Sequence, residues 1–397
     1  MKKLTLIIAM LTAFAVWSQD HPGEYSIQNV KINTKFSDFG TAFFGKDKVV
    51  FASPREGAII TRTTWDGNKQ PFLDLFIASI DENGNLKGKK KVLGDVNTKY
   101  HEGVVAYTKD MKTVYYTENN YVKRKYRNDS TGTNNIQMFR ASVGNDGAWT
   151  DIKLLPFNSP DFSTGHPTLS IDDKKLYFVS DRPESIGKTD IDVVDINEDG
   201  SYSKPRNMGP KINTEEREMF PFISDDNILY YASNGLPGLG DLDVFASKVF
   251  DNTVAIPINL GEPVNSKKDD FAYIIDDTKH KGYFSSNRKG GTGDDDIYRL
   301  TASPPIHFEC DQVVSGVVRD QETQELIPGA VVVLNDKNGE KIDEQTVKED
   351  ASFSFKLPCD TEFTLVGKAP GFLAESLPTK TCLLYTSPSP RDLNPNL

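Results

Sequence analysis

The side chains of this sequence that could do chemistry are a few histidines and many carboxylates. No Gly-x-Ser-x-Gly or His-Glu-x-x-His motif occurs, so the sequence shows neither a serine nucleophile motif nor a zinc protease motif. The five histidines stand far apart: His21, His101, His166, His280 and His307. Residues that are distant in sequence can still meet at one end of a propeller channel, and His101 and His166 both lie near the start of a repeat. We expect loop histidines that bond to neighbouring backbone.

Aspartates recur in pairs at equivalent places, where they precede short apolar runs. The pairs are Asp190 and Asp192, Asp241 and Asp243, and Asp294 and Asp296 with Asp295 between them. Carboxylate oxygens are ligands that Ca²⁺ prefers, which makes these residues candidate calcium ligands. A feature present in every repeat more often serves the repeat, since an Asp before a strand can accept hydrogen bonds from turn amides. Turn stabilisation is our expectation, calcium is the alternative, and no cofactor is predicted.

One basic, aromatic insertion stands out in a chain with a formal net charge of -11. Tyr121, Tyr126, Arg124 and Arg127 are its candidate contacts for a protein or a glycan, and a solvated loop is the alternative. The acidic balance of the whole chain argues against nucleic acid, whose phosphates require a basic face.

Five copies of one unit position these residues. Each copy has an apolar run centred on position 51, 116, 178, 231 or 284, with steps of 65, 62, 53 and 53 residues. Upstream of each run stands Asn-Thr or Asn-Ser, and the asparagines are Asn33, Asn97, Asn158, Asn213 and Asn265. Short strands joined by Asp and Asn turns predict antiparallel meanders. Such meanders cover their apolar faces when several close into a ring.

The best repeat, Ser-Ile-Asp-Asp-Lys-Lys-Leu-Tyr-Phe-Val-Ser-Asp-Arg at 170–182, resembles the WD40-like PD40 repeat of TolB-type propellers. With the domain that follows, the chain is similar to OmpA-family envelope proteins, including peptidoglycan-associated components of type IX secretion. The resemblance covers about residues 25–381 and lacks the C-terminal OmpA-like domain. We predict an all-β chain with a five-bladed β-propeller over 25–300, or a six-bladed one if terminal strands complete another blade.

A second domain is expected at 310–381, after a linker at 301–309 that contains Pro304 and Pro305. Alternating strands separated by Gly, Pro and Asn turns predict a small β-sandwich. This segment resembles a carboxypeptidase-regulatory-like domain with a transthyretin-like fold, which carries no peptidase chemistry. Cys310 and Cys359 form an even pair and predict a disulfide in an exported domain. Two free thiols are the alternative.

The two ends of the chain have separate interpretations. Residues 1–18 combine Lys2 and Lys3 with an apolar run and a small residue before Gln19, which predicts a signal peptide and export to the periplasm or the outer membrane. No later segment is apolar enough to cross a membrane. Residues 382–397 begin Cys-Leu-Leu-Tyr-Thr-Ser-Pro-Ser-Pro-Arg-Asp, the translation of a transposase-type sequencing adapter, and we interpret them as read-through.

The function expected from these features is that of a non-enzymatic envelope scaffold. The propeller rim would bind envelope proteins, and peptidoglycan would be reached only through the domain that is missing here. A carbohydrate-binding propeller is the first alternative, and a propeller lyase or peptidase is the second.

Overall fold

A computed structural model describes residues 2–8, 22–55, 64–65, 67–123, 125–250, 253–306, 308, 311–358 and 361–381. These residues form strands, turns and loops without any α-helix, so the predicted all-β class is confirmed. Accordingly, none of the described segments is a helix that could span a membrane. The strands divide between two compact units, which are described separately.

The larger unit is a β-propeller whose described residues form five four-stranded antiparallel sheets, the blades, and one extra hairpin. Its strands begin with β2 (Tyr25–Asn29), since β1 (Lys2–Ile8) belongs to the other unit. Blade 1 contains β3 (Phe39–Phe44), β4 (Lys48–Pro54), β5 (Leu73–Ile80) and β6 (Leu86–Lys91). Blade 2 contains β7 (Glu102–Tyr107), β8 (Thr113–Glu118), then the hairpin β9 (Tyr121–Val122) and β10 (Lys125–Tyr126), then β11 (Gln137–Val143) and β12 (Trp149–Leu154).

Blades 3 to 5 follow the same order. Blade 3 contains β13 (Thr164–Leu169), β14 (Lys175–Ser180), β15 (Asp190–Asp195) and β16 (Arg206–Asn207). Blade 4 contains β17 (Glu218–Ile223), β18 (Ile228–Ser233), β19 (Asp243–Lys248) and β20 (Ile258–Asn259). Blade 5 contains β21 (Asp270–Asp276), β22 (Lys281–Ser286) and β23 (Asp296–Ala302), and β2 supplies its outermost strand.

The repeated aromatic positions of the sequence lie in the second strand of each blade, where both faces are covered by neighbouring blades. Phe51, Tyr116, Phe178, Tyr231 and Phe284 are all buried. Aromatic and β-branched side chains suit such a doubly covered, pleated surface. Burial at these five positions explains why the sequence repeats there.

The inner strands are bent in the same way in every blade. Each has a β-bulge after its first one or two residues, and the bulge contains one residue with a positive φ. These residues are Gly40, Val104, His166, Phe220 and Ala272. Consecutive inner strands contact each other around the ring, including β21 with β3, which closes it. The pairing of β2 with β23 joins the two ends of the propeller within one blade.

The asparagine of each Asn-Thr or Asn-Ser pair joins a loop to the third strand of a blade. Asn213, for example, accepts a hydrogen bond from the Ile191 N–H at 2.8 Å and donates one to the Ile191 carbonyl at 2.9 Å. Asn33, Asn97, Asn158 and Asn265 accept the matching backbone N–H of Ile297, Leu75, Met138 and Val244. The amide side chain therefore takes the place of a missing strand partner, as buried backbone requires.

The second unit has two four-stranded sheets. Its remaining strands are β24 (Asp311–Asp320), β25 (Val331–Asp336), β26 (Lys341–Thr346), β27 (Ser352–Pro358), β28 (Glu362–Lys368), β29 (Phe372–Leu373) and β30 (Glu375–Lys380). One sheet has the order β27-β24-β1-β29 and the other β26-β25-β28-β30. Val318 and Phe353 from the first sheet share one core with Val332 and Leu365 from the second. The two sheets thus bury their apolar faces against each other.

Several predictions fall at the edge of the described residues. Lys2–Ile8 pair with β24, which leaves the predicted cleavage after residue 18 a prediction. Cys310, Cys359 and residues 382–397 lie outside the described residues, so the disulfide and the read-through also stay predictions.

Candidate functional site

A cavity of about 510 Å³ opens on the face of the propeller where the inner strands begin. Its lining comes mainly from blades 1 and 2, with His166 from blade 3 and Asp295 from the loop before β23. Phe39, Trp65 and Tyr126 supply aromatic surface. The polar lining includes His101, Glu102, Glu118 and Asn134. An apolar wall with a few convergent polar groups is the usual composition of a small-molecule site.

An acidic residue at the start of the inner strand is part of the framework in four of the blades. In blade 4, Glu218 accepts hydrogen bonds from the Thr214 N–H at 2.8 Å and from the Ser233 hydroxyl at 2.7 Å. Asp38 in blade 1 accepts the equivalent bonds from Thr34 and Ser53, and Asp270 in blade 5 accepts one from the Ser266 N–H. The fourth such residue, Glu102, accepts from the Thr98 N–H and hydroxyl.

Blade 2 differs from the other blades in the second-strand residue that lies opposite the acid. Near the end of the second strand, the equivalent residue is Ser53, Ser180, Ser233 or Ser286 in the other blades and Glu118 in blade 2. Glu118 lies directly opposite Glu102 in the strand pairing. Two positions further on, three blades have Arg55, Arg182 and Arg288, whereas blade 2 has Asn120. The third-strand residue that pairs with the serine is Asp74, Asp190, Asp243 or Asp296 in the other blades, and Gln137 pairs with Glu118 in blade 2.

The two carboxyl groups of blade 2 are therefore buried side by side, and neither forms an ion pair with a described residue. Glu102 is 1% exposed and Glu118 is 4% exposed. Burial, and then the charge of Glu118, raise the pKa of Glu102 well above its usual value. Burial likewise raises the pKa of Glu118 to about 7. Glu102 Oε2 and Glu118 Oε1 have no hydrogen-bond partner. The pair thus holds a proton near neutral pH and offers both donors and acceptors.

His101 adds a fixed donor to the cavity. Its Nδ1 accepts a hydrogen bond from the Leu73 N–H at 3.3 Å, so the proton of the neutral ring is on Nε2. Burial, assisted by the charge of Arg55, lowers the pKa of His101 to about 4. The Nε2 atom is buried and has no partner. His166 lies against Phe220 with 4.0 Å between ring centroids, and burial lowers its pKa to about 4 as well.

Both histidines that the sequence singled out therefore line one cavity. His101 bonds to neighbouring backbone, as expected, and His166 Nδ1 accepts from the Phe220 N–H at 3.4 Å in the adjacent blade.

Aromatic rings form one wall of the cavity. Trp65 lies 5.4 Å from His101 between ring centroids and is 46% exposed. Tyr126 packs at 4.3 Å from Tyr100, and Tyr121 packs at 5.1 Å from the same ring. Asn134, which also lines the cavity, accepts from the Asn120 N–H at 2.9 Å and so fixes the base of the hairpin that carries Tyr126.

The predicted contact residues of the basic insertion are only partly in this site. Tyr126 lines the cavity, and Tyr121 supports it through Tyr100. Arg127 is an exposed residue at the base of the hairpin, where its carbonyl accepts a hydrogen bond from Asn134. Arg124 lies outside the described residues.

The calcium candidates lie in three different blades. Asp190, Asp243 and Asp296 each accept hydrogen bonds from two backbone N–H groups of the preceding turn. Asp192 pairs with Arg182 at 3.0 Å, Asp294 accepts from Gln70 at 2.7 Å, and Asp241 is exposed. Within the described residues, no three metal-ligating side chains come together.

Sequence reasoning missed the residues that distinguish the site. Glu102, Glu118 and Trp65 were not singled out as site residues, and Asp295 was named only beside the calcium candidates. Aligning the repeats on the end of the second strand would have revealed Glu118, since it replaces a serine that the other four units share.

Comparisons with known proteins bear on the fold and on the expected family. No protein-family model matches the sequence, and no curated protein matches it. Similar solved structures include one titled glycoside hydrolase, at 10% identity and a TM-score of 0.46, covering 72% of this chain and 94% of that one. An α-L-arabinofuranosidase from Lactobacillus brevis has 12% identity and a TM-score of 0.43, with coverage of 71% and 98%. A β-1,2-mannobiose phosphorylase from Listeria innocua has 11% identity and a TM-score of 0.41, with coverage of 75% and 96%.

Two expectations are corrected by these findings. The assignment to PD40-repeat envelope proteins of the OmpA family is wrong, since no family model matches and the similar structures are carbohydrate-active enzymes. The expectation that the chain is not an enzyme is contradicted by the same neighbours. The short repeat pattern reflects the turns and buried strands of a blade, which unrelated propellers share. At these identities the neighbours define no substrate for this chain, so its function is argued from its own residues.

Proposed function

We propose that the chain binds carbohydrate in the cavity of blades 1 and 2. A sugar ring has apolar C–H faces and a rim of hydroxyl groups. Trp65 and Tyr126 present aromatic rings that suit the apolar C–H faces of the sugar, and stacking on such rings adds to the burial of apolar area. Glu102, Glu118 and His101 present polar atoms that suit its hydroxyl groups.

One observation carries this proposal. Glu102 Oε2, Glu118 Oε1 and His101 Nε2 are buried in the cavity lining without a hydrogen-bond partner. Leaving a buried polar group unpaired costs about 1–3 kcal/mol, so a framework rarely keeps three of them together. A ligand with several hydroxyl groups would satisfy all three.

Calorimetric titration of the purified chain with oligosaccharides tests the proposal. Trp65→Ala and Glu118→Ser are expected to weaken binding at least about tenfold, because each removes one recognition surface. Leu239→Ala, at a 49% exposed residue of blade 4, is the matched control and is expected to leave affinity unchanged. A site in this cavity would be contradicted if Trp65→Ala, Glu118→Ser and Leu239→Ala all bound the oligosaccharide with the affinity of wild type.

Cleavage of the bound glycan is the second candidate function. The observation in its favour is the carboxyl pair, since the pKa of Glu118 is raised to about 7 by burial. A carboxylic acid that is still protonated near neutral pH suits general acid catalysis at a glycosidic oxygen. Release of reducing ends from a bound oligosaccharide is the assay. Glu118→Gln is expected to retain binding and to lose cleavage at least about a hundredfold, and unchanged cleavage by this variant would exclude Glu118 as the acid.

Export is proposed as well, on the basis of residues 1–18. Intact mass of the protein secreted from its native host tests it, with Gln19 as the expected first residue. The same spectrum, taken with and without reductant and alkylation, tests the Cys310–Cys359 disulfide. A chain that retains Met1 would contradict export through this segment.

A further inference from the structure

The ionisable side chains that line the cavity have one sign of charge. Glu102, Glu118 and Asp295 are acids, and burial raises the pKa of Asp295 to about 6. His101 and His166 are neutral above about pH 4. No lysine or arginine is among the described residues that line it.

Arg55, whose charge acts on His101, is already engaged elsewhere. Its Nε donates to Asp74 at 2.9 Å, and its terminal nitrogens donate to the carbonyls of Thr98 and Lys99 at 2.6 Å and 3.2 Å. Arg55 therefore neutralises Asp74 and not the carboxyl pair, which has no counter-charge among the described residues.

One other blade places an arginine beside the equivalent acid. Arg288 contacts Asp270 at 2.5 Å in blade 5, whereas Glu218 in blade 4 accepts a hydrogen bond from the Ser233 hydroxyl and has Gly235 at the position of the arginine. Blade 2 has Asn120 in the place of this arginine and has a second acid, Glu118. Blade 2 differs from the other blades in having two adjacent acids that face a cavity, and this arrangement leaves the place of a cation to a ligand.

The side chains suit an organic cation better than a metal ion. Within the described part of the chain, no group of three His, Cys, Asp or Glu side chains could hold a metal. Glu102 Oε2, in a side chain that is 1% exposed, is unpartnered and lines the cavity. An ammonium group can donate to both free carboxylate oxygens at once, and such charge-assisted hydrogen bonds are the stronger kind.

We infer that the cavity selects sugars with a free, protonated amino group, which the Glu102 and Glu118 carboxylates bind as an ion pair. This inference rests on the proposed carbohydrate site and specifies its ligand class. The amine would displace the proton that the pair holds in the empty cavity, so binding would release protons.

Two oligosaccharides that differ only at the amine give the sharpest test. Titrations at pH 6.5 would compare a glucosamine oligomer, its N-acetylated form and a uronate oligomer of equal length. We expect the amine to bind at least about tenfold more tightly than the N-acetyl form and the uronate to bind most weakly. Repeating the titrations in buffers of different ionisation enthalpy is expected to show proton release with the amine alone.

Glu118→Gln is the matched variant, because it keeps the shape and removes the charge. It is expected to reduce the ratio of amine to N-acetyl affinity by about threefold or more, because only the Glu102 carboxylate then remains for the amine, while the variant still binds the N-acetyl form. Equal affinity of both sugars for wild type would overturn the inference and leave the carbohydrate site standing. No binding of any sugar would overturn both.

Discussion

Replacing Glu118 by Gln is expected to stabilise the propeller at alkaline pH and not at acidic pH. Burial raises the pKa of Glu118 from 4.5 to about 7, so the folded chain binds this proton more tightly than the unfolded chain does. At about 1.36 kcal/mol per pH unit, the wild-type free energy of unfolding falls by about 3 kcal/mol as the pH rises from 4.5 through 7. The variant has no proton to lose and avoids this decrease.

Denaturant unfolding followed by the fluorescence of Trp149, which is fully buried in blade 2, measures the effect. The free energy of unfolding of the variant minus that of wild type is expected to increase by about 3 kcal/mol between pH 4.5 and pH 8. Glu216→Gln is the control, because Glu216 is 42% exposed and pairs with the exposed Lys188, and such pairs are worth about 0–1 kcal/mol. A difference between the Glu118 variant and wild type that is the same at both pH values would refute the buried carboxyl pair.

Three further predictions concern the framework. Asn213→Ala is expected to lower the free energy of unfolding by about 2–3 kcal/mol, measured from the denaturant midpoint. Asn213 is 1% exposed, and its loss leaves the Ile191 N–H and carbonyl without their hydrogen bonds to its side chain. Phe178→Ala removes a fully buried ring and is expected to cost about 3–5 kcal/mol in the same assay, whereas Leu239→Ala is expected to change little. Millimolar calcium is expected to leave the Tm unchanged, since the carboxylates of Asp190, Asp243 and Asp296 already accept backbone amides; an upward shift would favour the calcium alternative.

The fold was predictable because its requirements recur in every blade. The five apolar runs and five asparagines each have the same structural role at equivalent places of the blades. A glycine before the third strand does the same in blades 3 to 5. Gly187 and Gly240 illustrate this, because a Cβ at either would come within 2.2 Å of a backbone carbonyl of the following loop. A residue that the geometry fixes five times leaves a clear pattern in the sequence.

The site was largely missed because it depends on exceptions to that pattern. Glu118 has meaning only when it is aligned with the serines of the other blades, and Trp65 lies outside the repeat altogether. The position of Tyr126 in the cavity lining depends on the β9–β10 hairpin, and the Asn134 contacts that fix the base of this hairpin join residues outside the repeat motif. Basic residues drew attention to the insertion, whereas its tyrosine is what lines the cavity.

A crystal structure of the propeller with a bound oligosaccharide tests the central claim most directly. The account predicts a sugar ring against Trp65, with hydrogen bonds to Glu118 and His101 Nε2. A sugar bound only elsewhere on the propeller, with the two carboxyl groups still unpartnered, would contradict it.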